Sequence, residues 1–137
     1  MINNQNQFNV VSVCNLDYIN LAVTSINSFI KHNENTKCFI FVVDAKDSVI
    51  DYLNNIGLYE SSNIIFFGPY QLKKSTKVIF LKATKYFNAM ELCCLGKYIG
   101  IDHILSNKEN NPICFYIDGD QFFLSNVKFL LKQIKGY

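Results

Sequence analysis

Two aspartates one residue apart, Asp118 and Asp120, are the residues whose type and spacing best suit chemistry in this 137-residue chain. They follow an apolar run at 113–117, which has the length and composition of a strand buried on both faces of a parallel sheet. Apolar residues resume at Phe122. Because open α/β sheets bind ligands outside the carboxyl ends of their strands, the pair is expected at a ligand site.

Two carboxylates this close repel each other unless a cation neutralises them. Oxygen ligands suit Mg²⁺ or Mn²⁺, which typically combine one or two carboxylates with phosphate oxygens. Such an ion would stabilise the charge on a diphosphate leaving group. The pattern therefore predicts that Asp118 and Asp120 hold Mn²⁺ or Mg²⁺ together with a nucleoside diphosphate. Asp-Gly is also a common turn dipeptide, so the alternative is that the pair caps a hairpin.

The elements that must position this pair alternate between strand-like and helix-like patterns. Strands are predicted at 8–14, 38–43 and 63–67, before the run at 113–117. Helices are predicted from Ile19 to an end near Lys31-His32-Asn33 and at 47–56, the second closed by Gly57. This order predicts an α/β fold, a Rossmann-like and mostly parallel sheet with helices on both faces. No domain boundary is visible, so residues 1–137 are predicted to form a single domain.

Three further segments complete the predicted chain. Residues 70–85 carry a lysine-dotted apolar pattern that suits either a helix or an ordered loop. Residues 87–105 form a long helix that is apolar nearly all round, so most of it is expected to be buried, with Gly96 and Gly100 allowing close packing against a neighbour. Residues 127–134 suit a short amphipathic helix.

Composition argues against nucleic-acid binding and against a transmembrane segment. The net charge is +2 and all 13 basic residues are lysines, scattered along the chain, which argues against nucleic-acid binding. The N-terminus lacks a signal segment and no apolar run reaches transmembrane length, so a cytoplasmic chain without a transmembrane segment is expected.

The cysteines and histidines add little chemistry. The five cysteines lack C-x-x-C spacing and lie in or against apolar runs, so we expect reduced, buried thiols at Cys14, Cys38, Cys93, Cys94 and Cys114. His32 is expected to be solvated, and His103 to be a hydrogen-bonded core residue.

The order of these motifs resembles that of nucleotide-sugar glycosyltransferases of the GT-A fold. The resemblance covers nearly the whole chain: a strand followed by an Asn-x-Asp-Tyr turn at 15–18, a helix carrying Glu91-Leu92-Cys93 and Lys97, and then FYIDGDQFFLSN at 115–126. The resemblance is strongest to bacterial enzymes whose N-terminal half has a helix with a Glu-Leu-Cys…Lys motif, followed by a strand that ends in Tyr-x-Asp-x-Asp. It implies a nucleotide diphosphate sugar as donor, with a UDP-sugar preferred, and an unknown acceptor.

The resemblance also implies roles for single residues. Asp120 would ligate Mn²⁺ or Mg²⁺ between the two phosphates, and Asp118 would contact the ribose, the metal or a metal-bound water. The base pocket would be lined by Asn15, Asp17 and Tyr18. Asp44 would approach the base or ribose, and Lys97 would face the sugar phosphate.

Each of these roles has a structural alternative. Asn15 and Asp17 could instead cap the first helix, and Asp44 could begin the second. Lys97 could be solvated, and Glu91 could pair with it or cap a loop.

Family members continue beyond the acidic triplet for about as many residues again. The chain is therefore expected to be a donor-binding half without the acceptor-binding half, with exposed apolar surface where that half would dock. A rival hypothesis is a catalytically inert α/β interaction module that binds a partner or a second copy of itself. A response-regulator-like pocket is disfavoured, because the third strand ends at Phe66-Phe67-Gly68 without an aspartate.

Overall fold

A computed structural model describes residues 8–55, 64–110 and 112–135 of the chain. The strands are β1 (Asn9–Cys14), β2 (Lys37–Val42), β3 (Ile64–Phe67) and β4 (Cys114–Tyr116). The helices are α1 (Ile19–His32), α2 (Asp47–Asn55), α3 (Lys74–Ala83), α4 (Ala89–Ser106) and α5 (Lys128–Lys135). The predicted ends at positions 56, 57 and 63 lie outside the described residues.

The four strands form one parallel sheet in the order β3-β2-β1-β4. β1 pairs with β2 from Asn9 opposite Lys37, and with β4 from Asn9 opposite Cys114. Each connection between neighbouring strands contains helix, as parallel pairing requires. The predicted α/β fold with a parallel sheet is confirmed.

Helices cover both faces of the sheet because side chains alternate along each strand. Val10 of β1 belongs to a core cluster with α1 and α2, which contribute residues such as Ile26 and Ile50. Its neighbour Val11 faces the opposite way, into a cluster with Phe80 of α3 and Ile99 of α4. The helices on both faces are thereby confirmed.

The expectation that most of α4 is buried is wrong. A single stripe is buried, formed by Leu92, Gly96, Ile99, Gly100 and Ile104. Tyr98 and Leu105 are exposed although they are apolar. Only one face of α4 packs on the sheet. The apolar residues on its other faces therefore remain exposed or half-buried.

The predicted close packing of α4 is confirmed at Gly96. A Cβ atom built there would lie 2.8 Å from Val13 Cγ1 and 3.1 Å from Val43 Cγ1. At Gly100 the nearest atom, Val11 Cγ2, would lie at 3.4 Å, an ordinary van der Waals contact. The helix therefore approaches β1 and β2 most closely at Gly96.

Two further segments refine the sequence predictions. Residues 70–85, left open between helix and loop, contain α3 and a short 3₁₀ turn at Pro69–Gln71. The strand predicted at 113–117 is shorter, and β4 is half-buried where burial on both faces was expected. The reason is topological, because within the described residues β4 lies at an edge of the sheet and pairs with β1 alone.

We expect Gly96→Ala to have a free energy of unfolding about 1 kcal/mol or more below that of Gly100→Ala, because both changes favour the helix equally but only the first overpacks Val13. Gly100→Ala is the matched control. It adds a helix-favouring residue, worth up to about 1 kcal/mol, where space exists. Urea unfolding of both variants measures the difference, and equal stability of the two would contradict the packing described here.

Candidate functional site

A cavity opens where the carboxyl ends of β1 and β4 lie side by side. After β1 the chain crosses to β2 on one side of it, whereas β4 lies on the other side, so the strand order reverses at this point. Crevices at such switch points are where open α/β sheets bind ligands. The cavity has a volume of about 450 Å³ and is lined by Val13, Cys14, Asn15, Tyr18, Leu21, Met90, Cys93, Asp118, Gly119 and Asp120.

After β1, Asn15 leads into a 3₁₀ turn (Leu16–Tyr18) that precedes α1, and both Asn15 and Tyr18 line the cavity. The backbone carbonyl of Asn15 accepts a hydrogen bond from Tyr18 N at 3.2 Å. The Asn15 side chain makes no capping hydrogen bond to this turn. The structural alternative for Asn15 is therefore not borne out, and the residue lines the cavity.

The acidic triplet (Asp118, Gly119 and Asp120) follows β4 as a tight turn fixed to α1. Ile117 N donates to Val11 O at 3.0 Å and so extends the pairing with β1 up to the triplet. The Asp118 carbonyl then accepts from Ser25 Oγ at 3.1 Å and from Gln121 N at 3.2 Å. No strand follows the triplet in residues 121–127, so the alternative that it caps a hairpin is wrong.

Gly119 brings the turn into contact with α1. A Cβ atom at Gly119 would lie 3.5 Å from both Cα and Cβ of Ala22. The side chain of Gln121 closes the turn from the other end, because its Oε1 accepts from Asp118 N at 3.2 Å. The backbone of the triplet is thus held by α1 on one side and by Gln121 on the other.

The Asp118 carboxylate is held by two neighbours. Its Oδ1 accepts a hydrogen bond from the Tyr116 hydroxyl at 2.8 Å and forms an ion pair with Lys97 Nζ at 3.1 Å. Lys97 Nζ also lies 5.0 Å from the centre of the Tyr116 ring, a cation–π arrangement. Lys97 is therefore not simply solvated, and it joins α4 to the end of β4.

These contacts shift the pKa values of all three groups. The Tyr116 hydrogen bond, and then the Lys97 ammonium, lower the pKa of Asp118. The hydrogen bond to Asp118 raises the pKa of Lys97. Burial, followed by the bond to the carboxylate, raises the pKa of Tyr116. At neutral pH the site therefore holds a carboxylate, an ammonium and a protonated phenol.

Asp44 joins the ends of β1 and β2. Its Oδ1 accepts from Leu16 N at 2.9 Å, and α2 begins only at Asp47, so the alternative that Asp44 begins α2 is wrong. Burial raises the pKa of both Cys14 and Cys93, and the negative charge of Asp44 adds to that rise. Asp44 itself is not among the residues that line the cavity.

The structure brings together part of the predicted set. The cavity lining includes Asn15, Tyr18, Asp118 and Asp120. Lys97 reaches the site through Asp118. Asp17 is exposed in the 3₁₀ turn and does not line the cavity.

Tyr116, Met90 and Leu21 were missed as site residues by sequence reasoning. Tyr116 and Asp118 are two residues apart in extended chain, a spacing that places side chains on the same side and was available as a signal. Met90 and Leu21 line the cavity as exposed apolar residues of α4 and α1, and no feature of their sequence separates them from ordinary helix residues.

All five cysteines are free thiols, as predicted, but their expected burial is only partly confirmed. Cys14 and Cys38 are buried, and burial raises the pKa of each to about 12. Cys93 and Cys114 are half-buried and Cys94 is exposed, because α4 and β4 each have an open side. Cys14 and Cys93 therefore line the cavity as neutral thiols.

Neither histidine reaches the cavity lining. His103 is half-buried and stacks on the Phe67 ring with 4.7 Å between ring centres, and burial lowers its pKa. His32 is half-buried at the end of α1, where full solvation was expected.

The donor set allows a test of the predicted metal. Asp118 and Asp120 offer oxygen ligands alone, which suits Mg²⁺ or Mn²⁺. Among the described residues, no group of three or more His, Cys, Asp or Glu side chains could hold a metal ion. The two carboxylates alone would leave most of the coordination of such an ion to phosphate and water, an arrangement common for Mg²⁺.

No protein-family model matches the chain, and a search of curated proteins finds no match to it. Within the part of the chain that the structure describes, every helix is too short or too polar to cross a membrane.

We expect Tyr116→Phe to raise the pKa of Asp118 towards its ordinary value, because the substitution removes its principal hydrogen bond. Carboxyl NMR titration measures the shift, and Tyr98→Phe, an exposed tyrosine on α4, is the control. An unchanged Asp118 pKa would contradict the network.

The same network predicts a pH dependence of folding. Since the pKa of Asp118 is lowered in the folded chain, its contribution to stability is present above the unfolded-state pKa and is lost as pH falls through the folded one. Lys97→Gln should weaken this acid-dependent loss. Urea unfolding at a series of acidic pH values measures it, and an unchanged profile would contradict the ion pair's role.

Proposed function

We propose that this chain binds a nucleoside diphosphate sugar, preferably a UDP-sugar, and serves as the donor site of a metal-dependent glycosyltransferase. One observation carries the proposal. At the switch point between β1 and β4, one cavity is lined by Asn15 and Tyr18 from the first strand end and by the acidic triplet from the other. The resemblance of the triplet and the α4 motif to nucleotide-sugar glycosyltransferases supports the transfer reaction.

The β1 side of the cavity suits a nucleoside. The whole cavity has a volume of about 450 Å³, which lies within the usual range for small-molecule sites. Tyr18, Leu21 and Met90 supply apolar surface against which a planar base can pack. The Asn15 amide offers a donor and an acceptor for the polar edge of the base. Asp44, whose carboxylate accepts a hydrogen bond from Leu16 N after the end of β1, would approach the base or ribose.

The β4 side suits a diphosphate and the groups next to it. Tyr116 and Lys97 orient Asp118 before any ligand arrives, which lowers the ordering cost of binding. The exposed Asp120 and the free oxygen of Asp118 would hold Mn²⁺ or Mg²⁺, which when bound neutralises charge on the departing diphosphate. Lys97 adds a fixed positive charge at the same strand end.

A second candidate function is a catalytically inert interaction module. Directly after the acidic triplet, Phe122 is 68% exposed and Leu124 is 81% exposed. Exposed apolar side chains of this size are typical of surfaces that bind a partner or a second copy. Dimerisation that rises with concentration, without any effect of nucleotide on melting, would favour this candidate.

Thermal melting with UDP or GDP, each with and without Mn²⁺, tests the donor site. We expect the midpoint to rise only when metal and one nucleotide are both present. A ligand held by the folded state alone stabilises it by roughly 2.7 kcal/mol at a hundredfold excess over its dissociation constant. Asp120→Asn should abolish the shift, because it removes a carboxylate of the cavity lining.

The matched control is Asp51→Asn, which removes the charge of an exposed aspartate on α2 and should leave the shift intact. Two results would contradict the proposal. One is a nucleotide-induced shift that Asp120→Asn leaves unchanged, and the other is no shift with any combination of metal and nucleotide.

A further inference from the structure

The outward side of α3 and the turn after it form a basic and apolar surface whose residues do not line the cavity. We define the α3 surface by its exposed residues Lys74, Val78, Ile79, Lys82, Lys85, Tyr86 and Phe87. Lys74, Val78 and Lys82 are spaced by four residues and follow one face of the helix, opposite the buried Phe80. α3 thus packs on the domain through Phe80 and turns lysines and aliphatic side chains outward.

The positive charge of this surface is concentrated and lacks nearby compensation. Five lysines lie between positions 73 and 85, and no acidic residue occurs from 70 to 90. Lys73 is neutralised by an ion pair with Asp102 at 2.7 Å. No ion pair joins Lys74, Lys77, Lys82 or Lys85 to an acidic side chain in the described ranges. The α3 surface therefore carries a local excess of positive charge although the net charge of the chain is only +2.

Large apolar side chains lie among these lysines. Ile79 is 63% exposed and Tyr86 is 83% exposed, while Val78 and Phe87 are also exposed. A helix that packs on a domain through one face ordinarily turns polar residues to water on the other. Here the outward face combines aliphatic and aromatic residues with lysines, whose long stems can cover apolar surface while their ammonium groups reach outward.

We propose that the α3 surface binds the face of a membrane that contains anionic lipids, with α3 lying in the plane of the headgroups. The ammonium groups would meet the lipid phosphates, and Val78, Ile79, Tyr86 and Phe87 would enter the boundary with the acyl chains. This charge complementarity favours a membrane over a nucleic acid. Exposed aliphatic side chains bury no apolar surface against a phosphate backbone. The chain also has no arginine, whose guanidinium group could bind a base or a phosphate through two hydrogen bonds.

The position of the α3 surface gives the proposal a functional consequence. Phe87 precedes Met90 by three residues, and Met90 lines the cavity. Binding through the α3 surface would therefore bring the cavity near lipid headgroups. The proposal rests on the charges and exposure of α3 and does not depend on nucleotide binding in the cavity.

Co-sedimentation of the full chain with vesicles tests this proposal. Vesicles of phosphatidylglycerol and phosphatidylcholine in about equal amounts should bind the chain, and pure phosphatidylcholine vesicles should bind it far less. Raising the salt concentration about tenfold should release most of the chain, because it screens the lysines. Lys74→Gln with Lys82→Gln should weaken binding roughly 25-fold, at about fivefold for each lysine. Ile79→Ser should weaken it as well.

The controls match each change outside the α3 surface. Lys46→Gln with Lys108→Gln removes the same charge from two other exposed lysines, and Tyr52→Ser removes an exposed apolar residue of α2 on the opposite face of the sheet. Both controls should bind anionic vesicles nearly as the parent chain does. Circular dichroism melting checks that every variant is folded.

Four outcomes would overturn the proposal. The first is no binding to anionic vesicles at low salt, and the second is an equal loss of binding in the lysine controls. The third is binding that the lysine changes weaken but Ile79→Ser does not, which would assign the surface to a dissolved polyanion such as nucleic acid. The fourth is a lipid-independent dimer that Ile79→Ser dissociates, which would assign it to a second copy.

Discussion

The parallel pairing of β4 with β1 is the interaction on which the candidate site depends. Asn9 donates to the Ile113 carbonyl through its backbone N at 2.9 Å and through its side-chain Nδ2 at 3.2 Å, across 104 residues of chain. Ile117 N then donates to Val11 O at 3.0 Å. These bonds set the register that places Asn15 and the acidic triplet at neighbouring strand ends. Without this pairing the two halves of the cavity would belong to distant parts of the chain.

Three layers of the fold converge on Asp118. Ser25 of α1 binds its carbonyl, Tyr116 of β4 binds its carboxylate, and Lys97 of α4 pairs with the same oxygen. α4 can reach this point because Gly96, the neighbour of Lys97, lets the helix lie close to Val13. Packing on one face of the sheet and charge at its end are thus coupled through adjacent residues of one helix.

Much of this arrangement could be predicted from the sequence because it rests on local patterns. Apolar runs of strand length alternate with helical spacing, and this alternation predicts a parallel sheet whose strand ends carry Asn15 and Asp118. The exposure of α4 and α3 could not be predicted in the same way. Tyr98 of α4 and Ile79 of α3 are apolar but exposed, because each helix meets the sheet through one face only. The contact of Tyr116 with Asp118 is signalled by their spacing of two residues in extended chain, whereas the contact of Lys97 with Asp118 depends on how α4 packs on the sheet.

Paramagnetic broadening by Mn²⁺ in an amide-resolved NMR spectrum of the full chain would locate a metal ion held by the acidic triplet. With UDP present, substoichiometric Mn²⁺ should broaden the amides of Asp118, Gly119 and Asp120 first, and that of Asn15 across the cavity soon after. The same Mn²⁺ without nucleotide should broaden them less, because phosphate completes the coordination of the ion. Broadening centred on exposed acidic residues elsewhere, such as Asp51 or Glu109, with the acidic triplet unaffected, would contradict a metal-assisted diphosphate site between β1 and β4.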